Sequence, residues 1–202
     1  MSDVGILLIM WVQILLILIS VIAALTIFQA REKSEDMPDR SDFQRFPFSW
    51  WFSIAMALLF LDQLTKNWIV NDFFLGQRDF ITSFFNLVRV HNYGAAFSFL
   101  SDAGGWQRWF LAVLSMVVSV FLVIWLIKLP RVKWIEGIAI ALILGGALGN
   151  LYDRVVFGYV IDFLDFHWSG SHFPAFNVAD SGITMGASLL IFDMLITRQD
   201  SE

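Results

Sequence analysis

The chain contains no cysteine. Disulfide bonds, a thiolate nucleophile and cysteine-based metal sites are therefore excluded, while the redox compartment is left open. Charge is scarce too. Only 15% of the 202 residues are Asp, Glu, Lys or Arg, and the net charge of −5 is spread without any basic run, which excludes an electrostatic footprint for nucleic acid. HExxH and GxSxG are both missing. Two of the three histidines, His167 and His172, stand five apart in what reads as one solvated loop with Asp165. There is no internal repeat and no low-complexity tract.

What the chain has in excess is apolar surface. It is 58% hydrophobic with a mean hydropathy of +0.70, more than one soluble core of this length needs, so the class is an integral membrane protein with one bundle domain. Five stretches are long and apolar enough to cross a bilayer, near 5–29, 48–70, 107–128, 134–152 and 178–197. Trp51 and Trp68 bracket the second; their spacing at helical rise covers ~25 Å against a hydrocarbon core of ~30 Å. Trp109 and Trp125 bracket the third. These four read as an interfacial belt, with ordinary packing as the alternative.

Parity groups the ends. If the segment before Phe48 is cytoplasmic, eight basic residues are inside (Arg31, Lys33, Arg40, Arg45, Lys128, Arg131, Lys133, Arg198) and five are outside (Lys66, Arg78, Arg89, Arg108, Arg154), as the positive-inside rule prefers. The run from Val4 to Gln29 lacks a basic n-region and is too long for a signal-peptide core, so it reads as an extra transmembrane helix. Ala30 to Arg45, with its charges and Pro38, reads as a solvated linker. Residues 72–105 are too long for a turn, and the Phe, Ile, Val and Thr of 80–90 predict short strands forming a small β-rich cap on the outer surface.

The polar residues near membrane depth gather on that same side. Asp62 and Lys66 end the second stretch, Asn92 precedes the third, and Asn150, Asp153 and Arg154 end the fourth. Asn177 and Asp180 begin the fifth, with Asp162 in the connection before it. An Asp at the centre of a membrane helix costs ~2.5–3.5 kcal/mol on insertion scales, so several such groups at one face predict a functional polar pocket. Each has a plainer explanation. Asp62 and Lys66 could form an i,i+4 surface pair, and Asn177 with Asp180 could form a capping box. Gly145 and Gly149 could serve helix packing, and Asp193 could snorkel or pair with Arg198. Three functional rivals follow: a transporter with carboxylates in its path, a non-catalytic assembly subunit, and a Ser–Lys protease using Lys66.

Five motifs go further. Asp62-Gln63-Leu64-Thr65-Lys66, Asn92-Tyr93-Gly94-Ala95-Ala96-Phe97, Gly145 to Arg154 (GGALGNLYDR), Val160-Ile161-Asp162-Phe163 and Phe176-Asn177-Val178-Ala179-Asp180 occur in this order. Together, over roughly 47–196, the chain resembles the lipoprotein signal peptidases, or signal peptidase II. The resemblance implies an all-α membrane bundle with a four-span core at 46–202. An extra N-terminal transmembrane helix with its linker, 1–45, has no counterpart in the family. It further implies an inner-membrane aspartic endopeptidase whose catalytic pair falls on Asp162 and Asp180. Asp62, Lys66, Asn92, Gly94, Asn150, Asp153, Arg154 and Asn177 would support the site or bind substrate. The substrate would be a diacylglyceryl-modified prolipoprotein cut just before the lipidated cysteine, at the periplasmic boundary. Membrane lipids would surround a monomer, with no metal and no cofactor. Which aspartate is the base stays open; the positive end of the last helix favours Asp180.

Overall fold

The structure, a computed structural model, describes residues 48–94, 104–130 and 133–199. The span expected at 5–29, its linker and the Ala95-Ala96-Phe97 part of the second motif lie outside the described residues.

Four helices and four strands follow in order: α1 Phe48–Asp72, β1 Arg78–Phe80, β2 Phe85–Asn92, α2 Trp106–Lys128, α3 Trp134–Val156, β3 Val160–Trp168, β4 Ser171–His172 and α4 Val178–Gln199. Among the described residues, three helices are long and apolar enough to cross a membrane: α2, α3 and the part of α4 from Val178 to Ile196. The 25-residue α1 matches them in length, but Asp62, Gln63, Lys66 and Asn67 interrupt its apolar surface. Helix α3 is the hub and packs against α1, α2 and α4. Small residues make this possible. A side chain at Gly145 would meet the Ala55 carbonyl of α1, so only glycine allows the two backbones this approach. Ala139, Ile140, Ala141 and Leu144 of α3 are buried against Trp51, Ala55, Leu122, Trp125, Leu126 and Leu190.

The four tryptophans of the expected belt divide in two. Trp68 and Trp109 are exposed, but Trp51 and Trp125 are buried. Trp125 donates its indole N–H to Glu136 at 3.0 Å, and Trp51 lies where any side chain at Gly137 would be. Indole rings find a better environment here between helices than at an interface, because each can fill a large gap. Asp193 lies 3.9 Å from Lys133; the side chain of Arg198 lies outside the described residues.

The predicted cap is present, and larger than 72–105 suggests. Its four strands form one antiparallel sheet in the order β1-β2-β3-β4, with a register irregularity between Leu87 and Val90. Half of it comes from 160–172, expected as a loop. His167 therefore pairs with His172 across β3 and β4. Asp165 is not solvated: it is buried, accepting from Asn86 at 2.9 Å and lying 2.9 Å from His172 Nδ1.

Two contacts fasten the cap to the bundle. Ile69 of α1 and Phe73 just past its end pack with Ile161 and Phe163 of β3. Arg89 of β2 donates to the Val70 and Phe73 carbonyls at 3.0 and 2.8 Å, satisfying acceptors left free at the end of α1. Arg108, near the start of α2, donates 2.7 Å bonds to the Arg154 and Val155 carbonyls at the end of α3. The ends of α1 and α3 thus meet the starts of α2 and α4, the alternation that parity requires.

Candidate active site

All ten residues singled out in the sequence meet where these ends join the sheet. Asp62 and Lys66 come from the second half of α1. Asn92 and Gly94 come from the end of β2, and Asn150, Asp153 and Arg154 from the last turns of α3. Asp162 comes from β3, and Asn177 and Asp180 from the start of α4. Helix α3 extends to Val156, so Asn150, Asp153 and Arg154 sit at i, i+3 and i+4 on one helical face.

A buried ion cluster forms the floor. Lys66 Nζ lies 2.8 Å from Asp62 and 2.9 Å from Asp153, with all three side chains at most 1% exposed. The pair on α1 is thus no surface bridge. The third donor direction of Lys66 goes to Asn150 Oδ1 at 3.1 Å. An ammonium has three protons and no acceptor capacity. Lys66 is fully committed as a cation, which removes the Ser–Lys reading. Asp62 also accepts the Ala179 N–H of α4 at 2.9 Å, and Asp153 accepts the Ile161 N–H of β3 at 3.2 Å. Three elements are therefore tied to one lysine. Gly149 leaves room for this: a methyl group there would lie 2.6 Å from Asp62 Oδ2.

Above the floor, amides hold the other two aspartates. Asn177 and Asp180 form a reciprocal cap of α4: Asp180 N–H donates to Asn177 Oδ1 at 2.9 Å, and Asn177 N–H donates to Asp180 Oδ2 at 3.3 Å. The capping box therefore exists, and it carries the acidic group rather than explaining it away. Asn150 Nδ2 donates to Asp180 Oδ1 at 2.8 Å. Asn177 Nδ2 donates to Asp162 Oδ1 at 2.7 Å, and Asn92 Nδ2 to Asp162 Oδ2 at 3.1 Å. Arg154 donates to the Gly94 and Asn150 carbonyls at 3.0 and 3.3 Å, holding the end of β2 against α3.

Asp162 is 3% exposed, whereas Asp180 is partly open. Burial raises the Asp162 carboxyl well above the ordinary carboxylate range. The charge of nearby Asp180 pushes the same way, against the lowering effect of the Asn92 and Asn177 donors. One acid held protonated beside a second carboxyl can donate a hydrogen bond to a carbonyl while its neighbour accepts a proton from water. Behind Asn92, His91 stacks 3.7 Å from Tyr159, and burial together with Arg89 keeps its imidazole below its usual range.

Gln63 was missed in the sequence as a site residue. Its amide bridges Asp153 at 2.9 Å and Asp62 at 3.2 Å. Its place beside Asp62 in the first motif was the available signal.

The family model described as "Signal peptidase (SPase) II" matches residues 54–196. The chain belongs to the signal peptidase II family. The lipoprotein signal peptidase of Teredinibacter turnerae is 55% identical over 145 residues, covering 72% of this chain and 86% of that protein. That of Shewanella halifaxensis is 48% identical over 152 residues, covering 75% and 89%. A solved bacterial membrane enzyme superposes with a TM-score of 0.71 at 31% identity, covering 78% of this chain and 94% of the other. The signal peptidase II match contains all ten residues of the site and begins after residues 1–45.

Proposed function

We propose that this aspartic endopeptidase removes the signal peptide from diacylglyceryl-modified prolipoproteins, cutting just before the lipidated cysteine, with Asp162 and Asp180 as its catalytic pair. The observation that carries the reading is a buried Asp162, whose carboxyl burial raises above the ordinary range, joined to a partly open Asp180 through Asn177. Asp180, at the positive end of α4, takes a proton from water, and the resulting hydroxide adds to the scissile carbonyl carbon. Asp162 donates its proton to the carbonyl oxygen. Asp180 then delivers its proton to the cysteine nitrogen as the C–N bond breaks, and Asp162 recovers one from the intermediate hydroxyl. Arg154, on α3, offsets the charge that develops.

This placement suits the substrate. The acyl chains stay in lipid while water reaches the peptide bond. The reading takes α1 as a fourth span beside the three apolar ones, with 1–45 as an additional helix and linker. The chain then lies in the inner membrane as a monomer, with the site at the periplasmic boundary and lipid around the helices. Asp162→Asn and Asp180→Asn are each expected to abolish cleavage of a lipidated prolipoprotein in micelles while leaving the melting temperature unchanged. Near-normal turnover by either variant overturns the pair.

A further inference from the structure

Both catalytic carboxyls are contacted by asparagine side chains, and an asparagine amide can face either way. Turned one way it gives a carboxylate two N–H protons; turned the other it presents a repelling oxygen. Something must fix the direction, and in each of the three asparagines it is a group that can only donate. Gly94 N–H donates to Asn92 Oδ1 at 3.0 Å, so Asn92 must turn its NH2 to Asp162. Asp180 N–H donates to Asn177 Oδ1, so Asn177 must turn its NH2 to Asp162. Both locks are main-chain groups. For Asn150 the lock is a side chain: Lys66 Nζ faces Oδ1 at 3.1 Å, supported by Asn177 Nδ2 at 3.3 Å, and leaves Nδ2 for Asp180.

We propose that Lys66 is a positioning residue that sets the direction of the Asn150 amide and so keeps an N–H, rather than an oxygen, on Asp180. The proposal rests on the reading of Asp180 as the base. Lys66 is well placed for the task because its ammonium cannot accept a bond. Its own position is set by Asp62 and Asp153 on two different helices. Without it the Asn150 amide can reverse and aim its oxygen at the ionised carboxylate. Asp180 is faced by Asp162 from β3, by Lys66 from α1 and by Arg154 from α3, so charge must be held constant in any test.

Lys66→Met with Asp153→Asn removes one charge of each sign and leaves only the longer Asn177 Nδ2 contact, at 3.3 Å, toward Asn150 Oδ1. Lys66→Gln with Asp153→Asn has the same net charge and nearly the same side-chain shape, but restores an N–H donor. In the Met variant the acid limb of kcat is expected to move to higher pH by about 1 unit, the scale of one charged hydrogen bond. At the optimum, kcat should fall about tenfold while KM stays within about twofold. The Gln variant should keep the wild-type limb and most of kcat. Equal behaviour of the two variants overturns the proposal and leaves Lys66 a filler of charge. Should neither variant insert, Asn150→Leu, which keeps Lys66 and both its carboxylates, must show the same limb shift. An unmoved limb there overturns the proposal equally. Asp180→Asn, run alongside, separates this outcome from failure of the catalytic pair, because turnover by that variant rejects the base itself.

Discussion

Two pairs of aspartates lie within one network, and they are held in opposite ways. Asp62 and Asp153 share a lysine at 2.8 and 2.9 Å and accept further main-chain N–H groups. Among the described residues, Asp162 and Asp180 have only neutral amides as direct hydrogen-bond partners. A carboxylate against a buried cation has no use for a proton. A carboxyl that is buried among neutral donors and faces a second acid keeps one. The same residue type thus stands as a strut in one pair and, on the proposed mechanism, as a proton carrier in the other, and the difference is the position of one ammonium.

The comparison is broken most severely at the reacting pair. Removing a general acid or base costs about 10²–10⁴ in rate, so Asp162→Asn should lose at least that in kcat/KM with stability intact. Asp62→Asn should show the reverse balance, with a lower melting temperature at least as evident as the loss of rate. Lys66→Met alone strands two buried carboxylates. It should destabilise the folded chain by about 3–5 kcal/mol, read as loss of the folded fraction in a detergent unfolding series. Gly149→Ala pushes a methyl against Asp62, and the expected cost is about 1–3 kcal/mol by the same measurement. The mildest perturbation is pH. In the proposed mechanism Asp162 acts in its protonated form, which is present below its raised titration point and lost as pH rises through it. Activity should therefore persist well above the ordinary carboxylate range and then fall on the alkaline side. A kcat profile already falling near the ordinary Asp range would show that burial does not hold that proton.

That the ten residues share one end of the bundle was legible in the sequence because each sits in a motif and the parity of the spans brings the motifs together. The helices were legible for the same reason, since apolar runs announce themselves. What escaped depends on partners far away in the chain. Strand β3 carries Asp162 and Asp165 at buried positions, so it does not alternate polar and apolar as a half-exposed strand would. The burial of Asp165 is not legible in the sequence because Asn86 and His172, its partners, are not its neighbours there. Trp51 and Trp125 have belt spacing, yet neighbouring helices bury them. Asp193 also meets a residue far from it in the chain, Lys133, where α3 packs on α4.

Asp180 is the third residue of a 22-residue helix and is laced into its first turn. Its oxygen therefore has little travel of its own and goes wherever the α4 axis goes. An apolar helix of that length adjusts to a thinner or thicker lipid layer by tilting, and a tilt carries the carboxyl along as the hand is carried by a stiff arm. Turnover should thus respond to acyl-chain length in the surrounding lipid, through leverage rather than through any contact with the lipid.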